Sequence, residues 1–150
     1  MDVIENMIKR VSEFEQKLSS GLLVHDIIIE NEAYICDMNA EEQLYEQGVN
    51  RVGVNISDYA PYSPVTIQIK QIKGQPYDRV TLRDEGDFHS SFYIEADNMQ
   101  FEIKASDEKT EFLIRKYGRQ ILGLTDENIQ ELIHEYILPE LLEQAKKDIL

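Results

Sequence analysis

The chain has only one cysteine among its 150 residues and no tryptophan. Cys36 therefore cannot form a disulfide within the chain, and no partner at suitable spacing suggests a metal site. It lies among Tyr34, Ile35 and Met38, and free cysteine packs as a small apolar side chain. We expect Cys36 to be a buried core residue.

Long apolar runs are also missing. A membrane-spanning helix needs about 20 apolar residues, whereas the longest apolar run, 27–29, is bounded by Asp26 and Glu30. The first residues, Met-Asp-Val-Ile-Glu, lack the basic region of a signal peptide. The sequence thus predicts no membrane contact and a cytoplasmic origin.

No phosphate-loop, dinucleotide-binding or zinc-protease motif occurs. His25, His89 and His134 have neither a nucleophile nor a metal-ligand spacing around them, so we expect surface or partly buried histidines. The carboxylates clustered at 84–87 could serve as acid and base or hold a divalent ion. A solvated turn built on Gly86 is the favoured interpretation. We predict a protein that is not an enzyme and has no cofactor or metal.

Charge is abundant but uneven. The net charge is −14, which argues against a general nucleic-acid binder. Residues 51–83 hold five basic and two acidic side chains, a net charge of +3, whereas residues 126–150 carry a net charge of −5. A basic segment on an acidic body favours head-to-tail packing in a ring. A solvated surface with chance asymmetry is the alternative.

The length favours one domain over residues 1–150. Its first part, 1–46, is predicted to be helical because apolar residues recur at three- and four-residue steps over 3–19. A second helix is expected over 24–38, although its β-branched opening also suits a strand. A short helical turn over 40–46 should end at Gly48.

Residues 47–78 are the least regular part, with repeated Gly, Pro, Asn and Asp. We interpret them as a long extended assembly loop that becomes ordered against a neighbour. Val65–Ile72 alternates as a strand does, yet the same run suits a turn of helix. The tyrosines in and next to this segment either anchor an interface or attach the loop to its own core; they are Tyr45, Tyr59, Tyr62 and Tyr77.

Residues 79–150 should form a sheet followed by helices. Extended segments are expected at 79–83, 88–96 and 100–105, with a hairpin turn at Asp97-Asn98. Asp107 should cap a helix that ends at Gly118, and a last helix should start at Thr125 or Asp126 and kink at Pro139. The predicted fold class is α+β: a small antiparallel sheet flanked by an N-terminal helix pair and a C-terminal helix, with a long extended loop.

The order of residues in the second half resembles the virion-morphogenesis or tail-completion proteins of tailed bacteriophages, a family of head–tail joining and neck proteins. The matching positions are Tyr62-Ser63-Pro64, Thr66, Lys70, Leu82, Gly86, Ser91 and Tyr117–Thr125. Two positions depart from the family pattern. Tyr59 and Tyr62 stand where the family has tryptophan, and Gly118–Ile121 lacks the family's proline.

The resemblance implies a non-catalytic structural virion protein of a phage or prophage. It would form a homo-oligomeric ring in the head–tail connector, the neck or the tail-completion complex, against portal, connector or tail proteins. Assembly would take place in the bacterial host cytoplasm, with no sequence-specific nucleic-acid binding, although DNA passing through the ring is compatible with this role. Together with the charge pattern and the tyrosines, it places the inter-subunit interface at Tyr59, Tyr62, Pro64, Thr66, Lys70, Lys73 and Arg79.

A second hypothesis comes from the negative charge. A small acidic interaction or inhibitor module would bind a basic partner through its C-terminal half and would form no ring.

Overall fold

The structure is a computed structural model that describes residues 2–150; Met1 lies outside the described residues. The fold class is α+β, with helices surrounding one antiparallel two-stranded sheet. The helices are α1 Val3–Ser19, α2 Leu22–Glu30, α3 Glu32–Asp37, α4 Ile56–Tyr59, α5 Pro64–Lys73, α6 Asp87–Ser90, α7 Thr110–Tyr117, α8 Asp126–Leu132 and α9 Leu138–Ile149. The strands are β1 Phe92–Ala96 and β2 Phe101–Ala105.

The N-terminal helices follow the predicted periodicity. Helix α1 begins after Asp2, whose Oδ1 accepts a hydrogen bond of 2.8 Å from the backbone N–H of Glu5. The helix predicted over 24–38 is present as α2 and α3, and α3 continues into a π-helical stretch, Met38–Gln47. That stretch ends at Gly48, which has a φ of +68° and supplies the left-handed stop. These predictions are confirmed.

The hairpin is confirmed as well. Strand β1 pairs antiparallel with β2, and Ile94 lies opposite Ile103. Asp97 Oδ1 orders the connecting loop by accepting hydrogen bonds from the N–H groups of Met99 (2.7 Å) and Gln100 (2.8 Å). Two details differ from the prediction: residues 79–83 form no strand, and residues 87–90 form helix α6, so that β1 begins only at Phe92.

The long extended loop predicted over 47–78 is wrong, because this segment contains α4 and α5. Ser63 Oγ accepts a hydrogen bond from the Thr66 N–H, Pro64 occupies the first turn, and Gly74 ends α5 at a φ of +69°. These start and stop signals outweigh the alternating pattern over Val65–Ile72. The eight residues of this run also complete about two helical turns, and the caps decide between strand and helix.

The C-terminal helix is divided as Pro139 predicted. Thr125 Oγ1 accepts a 3.2 Å hydrogen bond from the Asn128 N–H and caps α8. A π-helical stretch, Ile133–Ile137, then separates α8 from α9 just before the proline, which has no N–H to donate. Asp107 differs from its predicted role, since α7 begins three residues later at Thr110 and Asp107 orders the preceding turn.

The hydrophobic core draws on residues from α2 to the second π-helical stretch, and Cys36 lies in it as predicted. Burial raises the pKa of the Cys36 thiol to about 11. Helices α1 and α9, in contrast, contain no buried residue. No helix within residues 2–150 is long and apolar enough to span a membrane.

Candidate functional site

The hydroxyl of Tyr62 holds the segment that leads into the sheet. It accepts hydrogen bonds from the backbone N–H groups of Thr81 (3.0 Å) and Leu82 (3.4 Å). Leu82 has a φ of +56°, a left-handed conformation that is uncommon for residues other than glycine. Tyr62 therefore stabilises a strained turn of its own chain.

Lys70 lies beneath this turn and is only 7% exposed. Its Nζ donates to the Arg83 carbonyl (3.0 Å) and to Gln75 Oε1 (3.4 Å), and it lies 5.0 Å from the centroid of the Tyr62 ring. Buried ammonium groups need such partners. We name Tyr62 and Lys70, with the backbone of 81–83 that they bind, the tyrosine lock.

The other cations of this segment also have partners within the chain. Lys73 Nζ lies 2.8 Å from Asp84 Oδ1, and hydrogen bonds from Lys73 and then Gln75 lower the pKa of Asp84. Arg79 Nη1 lies 2.7 Å from Asp78 Oδ1, and its Nε donates to the Tyr45 carbonyl. The net positive charge of 51–83 is thus partly neutralised by neighbouring side chains.

The remaining predicted interface residues, Tyr59, Pro64 and Thr66, serve local structure. The Tyr59 hydroxyl donates a 2.8 Å hydrogen bond to the Tyr117 carbonyl, although its side chain is half exposed. Pro64 and Thr66 belong to the capped first turn of α5. Helix α5 and the lock therefore bring together Tyr62, Pro64, Thr66 and Lys70, whereas Tyr59 and Arg79 contact other parts of the chain.

One exposed face of α5 is apolar. Val65, Ile69 and Ile72 follow the i, i+4, i+7 spacing of one helical face and are 63%, 48% and 86% exposed. On the same helix, Lys70 faces the interior. Helix α5 thus buries one charged residue while three large apolar side chains on it face water, against the usual pattern of a surface helix. We call these three residues the α5 stripe.

A buried histidine lies beside the lock. His89 Nε2 is 2.9 Å from the Thr81 carbonyl, so Nε2 carries the proton, and Nδ1 has no partner among residues 2–150. Desolvation lowers the pKa of His89 to about 4, against an ordinary value of 6.5. A second proton on this ring would be buried without an acceptor.

Two buried amides, which the sequence reasoning missed, fix the segment before α8. Asn39 binds the Ile121 carbonyl (2.9 Å) and the Gly123 N–H (2.8 Å). Gln43 Nε2 donates to the Gly123 carbonyl (2.8 Å), and its Oε1 accepts from the N–H of Thr125 (2.9 Å) and from Asn128 Nδ2 (2.8 Å). We call Asn39 and Gln43 the amide clamp. Two amide residues four apart on one face of a helical stretch were the available signal.

Apolar side chains also remain exposed at the N-terminus. On α1, Val3, Ile4 and Ile8 are largely exposed, although the helix contacts α9 and Lys17 Nζ lies 3.2 Å from Asp148 Oδ2. On α9, Leu138 and Leu142 are exposed too. The two helices therefore cover each other only in part.

An open groove of about 1000 Å³ lies between the hairpin and α8. All residues of β2 line one side, and Ile129, Leu132 and Ile133 lie on the other. Within residues 2–150, no group of three His, Cys, Asp or Glu side chains is placed to hold a metal ion.

A scan against protein-family models finds no match for this chain, and searches of curated proteins and of solved structures return no significant similarity.

Proposed function

We propose that this chain is a non-catalytic structural subunit of a tailed bacteriophage or prophage particle. It would belong to a ring in the head–tail connector, the neck or the tail-completion complex, and it would be assembled in the bacterial host. The order of family-like residues from Tyr62 to Thr125 supports this assignment. Several of these residues belong to two structural units, the tyrosine lock and the segment held by the amide clamp.

The α5 stripe is the observation that supports an assembly role most strongly. Three large apolar side chains on one helical face, with a lysine turned inward, leave an apolar surface that folding of the single chain does not cover. A helix of this kind binds by laying its apolar face into a groove on another subunit. Residues 47–78, which the sequence predicted to contact a neighbouring subunit, keep that role in this proposal. They would make the contact through the apolar face of a helix.

The chemistry of the contact follows from the placement of the cations. Lys70 is enclosed, and Lys73 and Arg79 already pair with Asp84 and Asp78. Exposed ion pairs contribute about 0–1 kcal/mol each. Charge on this segment would therefore orient a neighbouring subunit, while burial of the α5 stripe would supply most of the binding free energy.

Electron microscopy of particles produced without this gene tests the proposal. We expect DNA-filled heads and free tails that remain separate, or tails of uncontrolled length, and the two outcomes distinguish a joining role from a terminating one. Complementation with the wild-type gene should restore whole particles. Normal infectious particles in the absence of the protein would contradict the proposal.

A small acidic interaction module is the second candidate. Glu42, Glu127 and Glu131 line a cleft of about 350 Å³, and desolvation together with the nearby Glu131 and Glu46 carboxylates raises the pKa of Glu42. An acidic cleft of this kind suits a basic partner. Under this alternative, deletion would leave particle structure unchanged, and the protein would stay monomeric while binding one basic partner.

A further inference from the structure

The two edges of the hairpin differ in their surroundings. The β1 edge is covered by α3, where Glu32 Oε2 accepts a 2.9 Å hydrogen bond from the Ile94 N–H. The β2 edge borders the 1000 Å³ groove instead. An uncovered edge strand offers a row of backbone donors and acceptors to another strand.

The hydrogen bonds that flank the hairpin show which β2 groups point outward. The Ser106 N–H donates to the Ser91 carbonyl (3.2 Å), and the Asp97 N–H donates to the Gln100 carbonyl (3.0 Å). Hydrogen-bonded pairs alternate along an antiparallel ladder, so every second residue of β2 directs its backbone groups away from β1. These outward residues are Phe101, Ile103 and Ala105.

The three outward N–H groups have no acceptor within residues 2–150. Their side chains still face the core, and Ile103 is buried. The β2 edge is therefore rigidly positioned by the fold while its hydrogen-bonding capacity is unused. An edge of this kind is a template for pairing with another chain.

We propose that the β2 edge pairs antiparallel with β2 of a second copy of this chain, which joins the two hairpins into one four-stranded sheet about a two-fold axis at Ile103. This register uses all three outward residues of each copy and forms about six backbone hydrogen bonds. It also places the large Phe101 opposite the partner's small Ala105.

The charges of β2 complement each other in the same register. Glu102 falls opposite the partner's Lys104, in a pair without mutual backbone bonds whose Cα atoms approach to about 4.5 Å. Within its own chain, Glu102 lies directly opposite Glu95, and Lys104 forms its ion pair with Glu95. Glu102 itself has no ion-pair partner among residues 2–150. The partner's Lys104 would place an opposite charge directly across from Glu102, which has none in its own chain. This complementarity favours a second copy as the occupant over an unrelated strand.

The inference does not depend on the proposed function. A two-fold contact uses the same surface on both copies, whereas a ring closes through two different surfaces. The α5 stripe and the β2 edge are separate elements, so a subunit can use both. Loss of strand pairing would leave the role of the α5 stripe untouched.

Analytical ultracentrifugation of the full chain over increasing concentration tests the pairing. We expect reversible dimers, and we expect Ala105→Pro to be monomeric because proline removes one outward donor and its ring occupies the pairing edge. Ala96→Pro is the matched control, since it changes an outward position on the opposite, β1 edge and should leave the dimer intact. Circular dichroism checks that both variants fold. A wild-type chain that is monomeric up to about 1 mM, the weak end of specific affinity, overturns the proposal, as does a dimer unaffected by Ala105→Pro.

A charge exchange tests the register. Glu102→Lys and Lys104→Glu each place like charges opposite each other twice, and we expect each to weaken self-association about tenfold. An equimolar mixture of the two variants should form a heterodimer, because every like-charge pair becomes an ion pair. A mixture that associates no better than either variant alone contradicts this register.

Discussion

The middle of the chain and its two terminal helices are stabilised in different ways. In the middle, buried polar side chains such as Gln43 and Lys70 have hydrogen-bond partners and fix one arrangement of the backbone. Helices α1 and α9 have clear apolar faces but bury no residue. The comparison indicates that the central region folds on its own contacts, whereas the terminal helices and the α5 stripe present apolar surface that a partner can cover.

The largest effect is expected when the amide clamp is broken. Gln43→Leu leaves the Gly123 carbonyl, the Thr125 N–H and Asn128 Nδ2 without their partner in a buried site. We expect a loss of about 4 kcal/mol in the free energy of unfolding, since each unsatisfied group costs about 1–3 kcal/mol. Urea denaturation measures it. Gln47→Leu, at an exposed position of the same helical stretch, is the control and should change stability little. If both variants lost the same free energy of unfolding, the loss in Gln43→Leu would not come from the hydrogen bonds of the clamp.

Acid should destabilise the central region through His89. Its pKa in the folded protein is about 4, below its ordinary value of 6.5. The unfolded chain therefore binds the proton more tightly, and stability present above pH 6.5 is lost as the pH falls towards 4. Above pH 6.5, this difference in the pKa of His89 contributes about 3 kcal/mol to the free energy of unfolding.

His89→Gln tests this acid dependence, because glutamine keeps a donor towards the Thr81 carbonyl but does not titrate. Stability measured from pH 7 to pH 4 should fall less steeply in this variant than in the wild type. The control, His134→Gln at an exposed position, should retain the wild-type slope. A wild-type slope in His89→Gln would exclude His89 as its source.

The tyrosine lock should have a smaller effect. Tyr62→Phe removes the hydroxyl that binds the Thr81 and Leu82 N–H groups, and we expect a loss of about 2 kcal/mol. Thermal unfolding checks it. Tyr77→Phe, a half-exposed position, should be neutral. If both substitutions were neutral, the strained turn at Leu82 would have another support.

Removal of one helix cap in each region compares how strongly the central region and the terminal helices contribute to global stability. Thr125→Ala removes the cap of α8 in the central region and should cost about 1 kcal/mol of global stability. Asp2→Ala removes the equivalent cap of α1, and we expect faster amide hydrogen exchange in α1 with little change in global unfolding. A global loss of the same size from Asp2→Ala would show that α1 unfolds together with the centre.

The sequence predicted those elements whose signals are local. Three- and four-residue periodicity identified α1 and the C-terminal helix, and Asp97-Asn98 identified the hairpin. Helix α5 was placed in an extended loop because Gly, Pro, Asn and Asp interrupt 47–78 and because the alternation of Val65–Ile72 left strand and helix open, although Ser63-Pro64 and Gly74 marked its ends. Its buried Lys70 follows from contacts with Arg83 and Tyr62 that no periodicity contains.

The candidate site was less accessible to sequence reasoning. The amide clamp joins residues about eighty positions apart, and single-sequence patterns do not show such pairings. The excess of basic residues over 51–83 is present in the sequence, but the range ends one residue before Asp84, the ion-pair partner of Lys73. The count therefore overstated the free positive charge of this segment. Outward apolar residues on α5 became visible only once the segment was known to be a helix.

The central claim is that the α5 stripe joins this subunit to a neighbour. Electron microscopy of particles assembled with the double variant Ile69→Glu/Ile72→Glu tests it most directly. The control, Gln68→Glu/Gln71→Glu, adds the same charge to exposed positions of the same helix outside the stripe. The account predicts unjoined heads and tails for the first variant and whole particles for the second. Whole, infectious particles containing the folded Ile69→Glu/Ile72→Glu protein would contradict it.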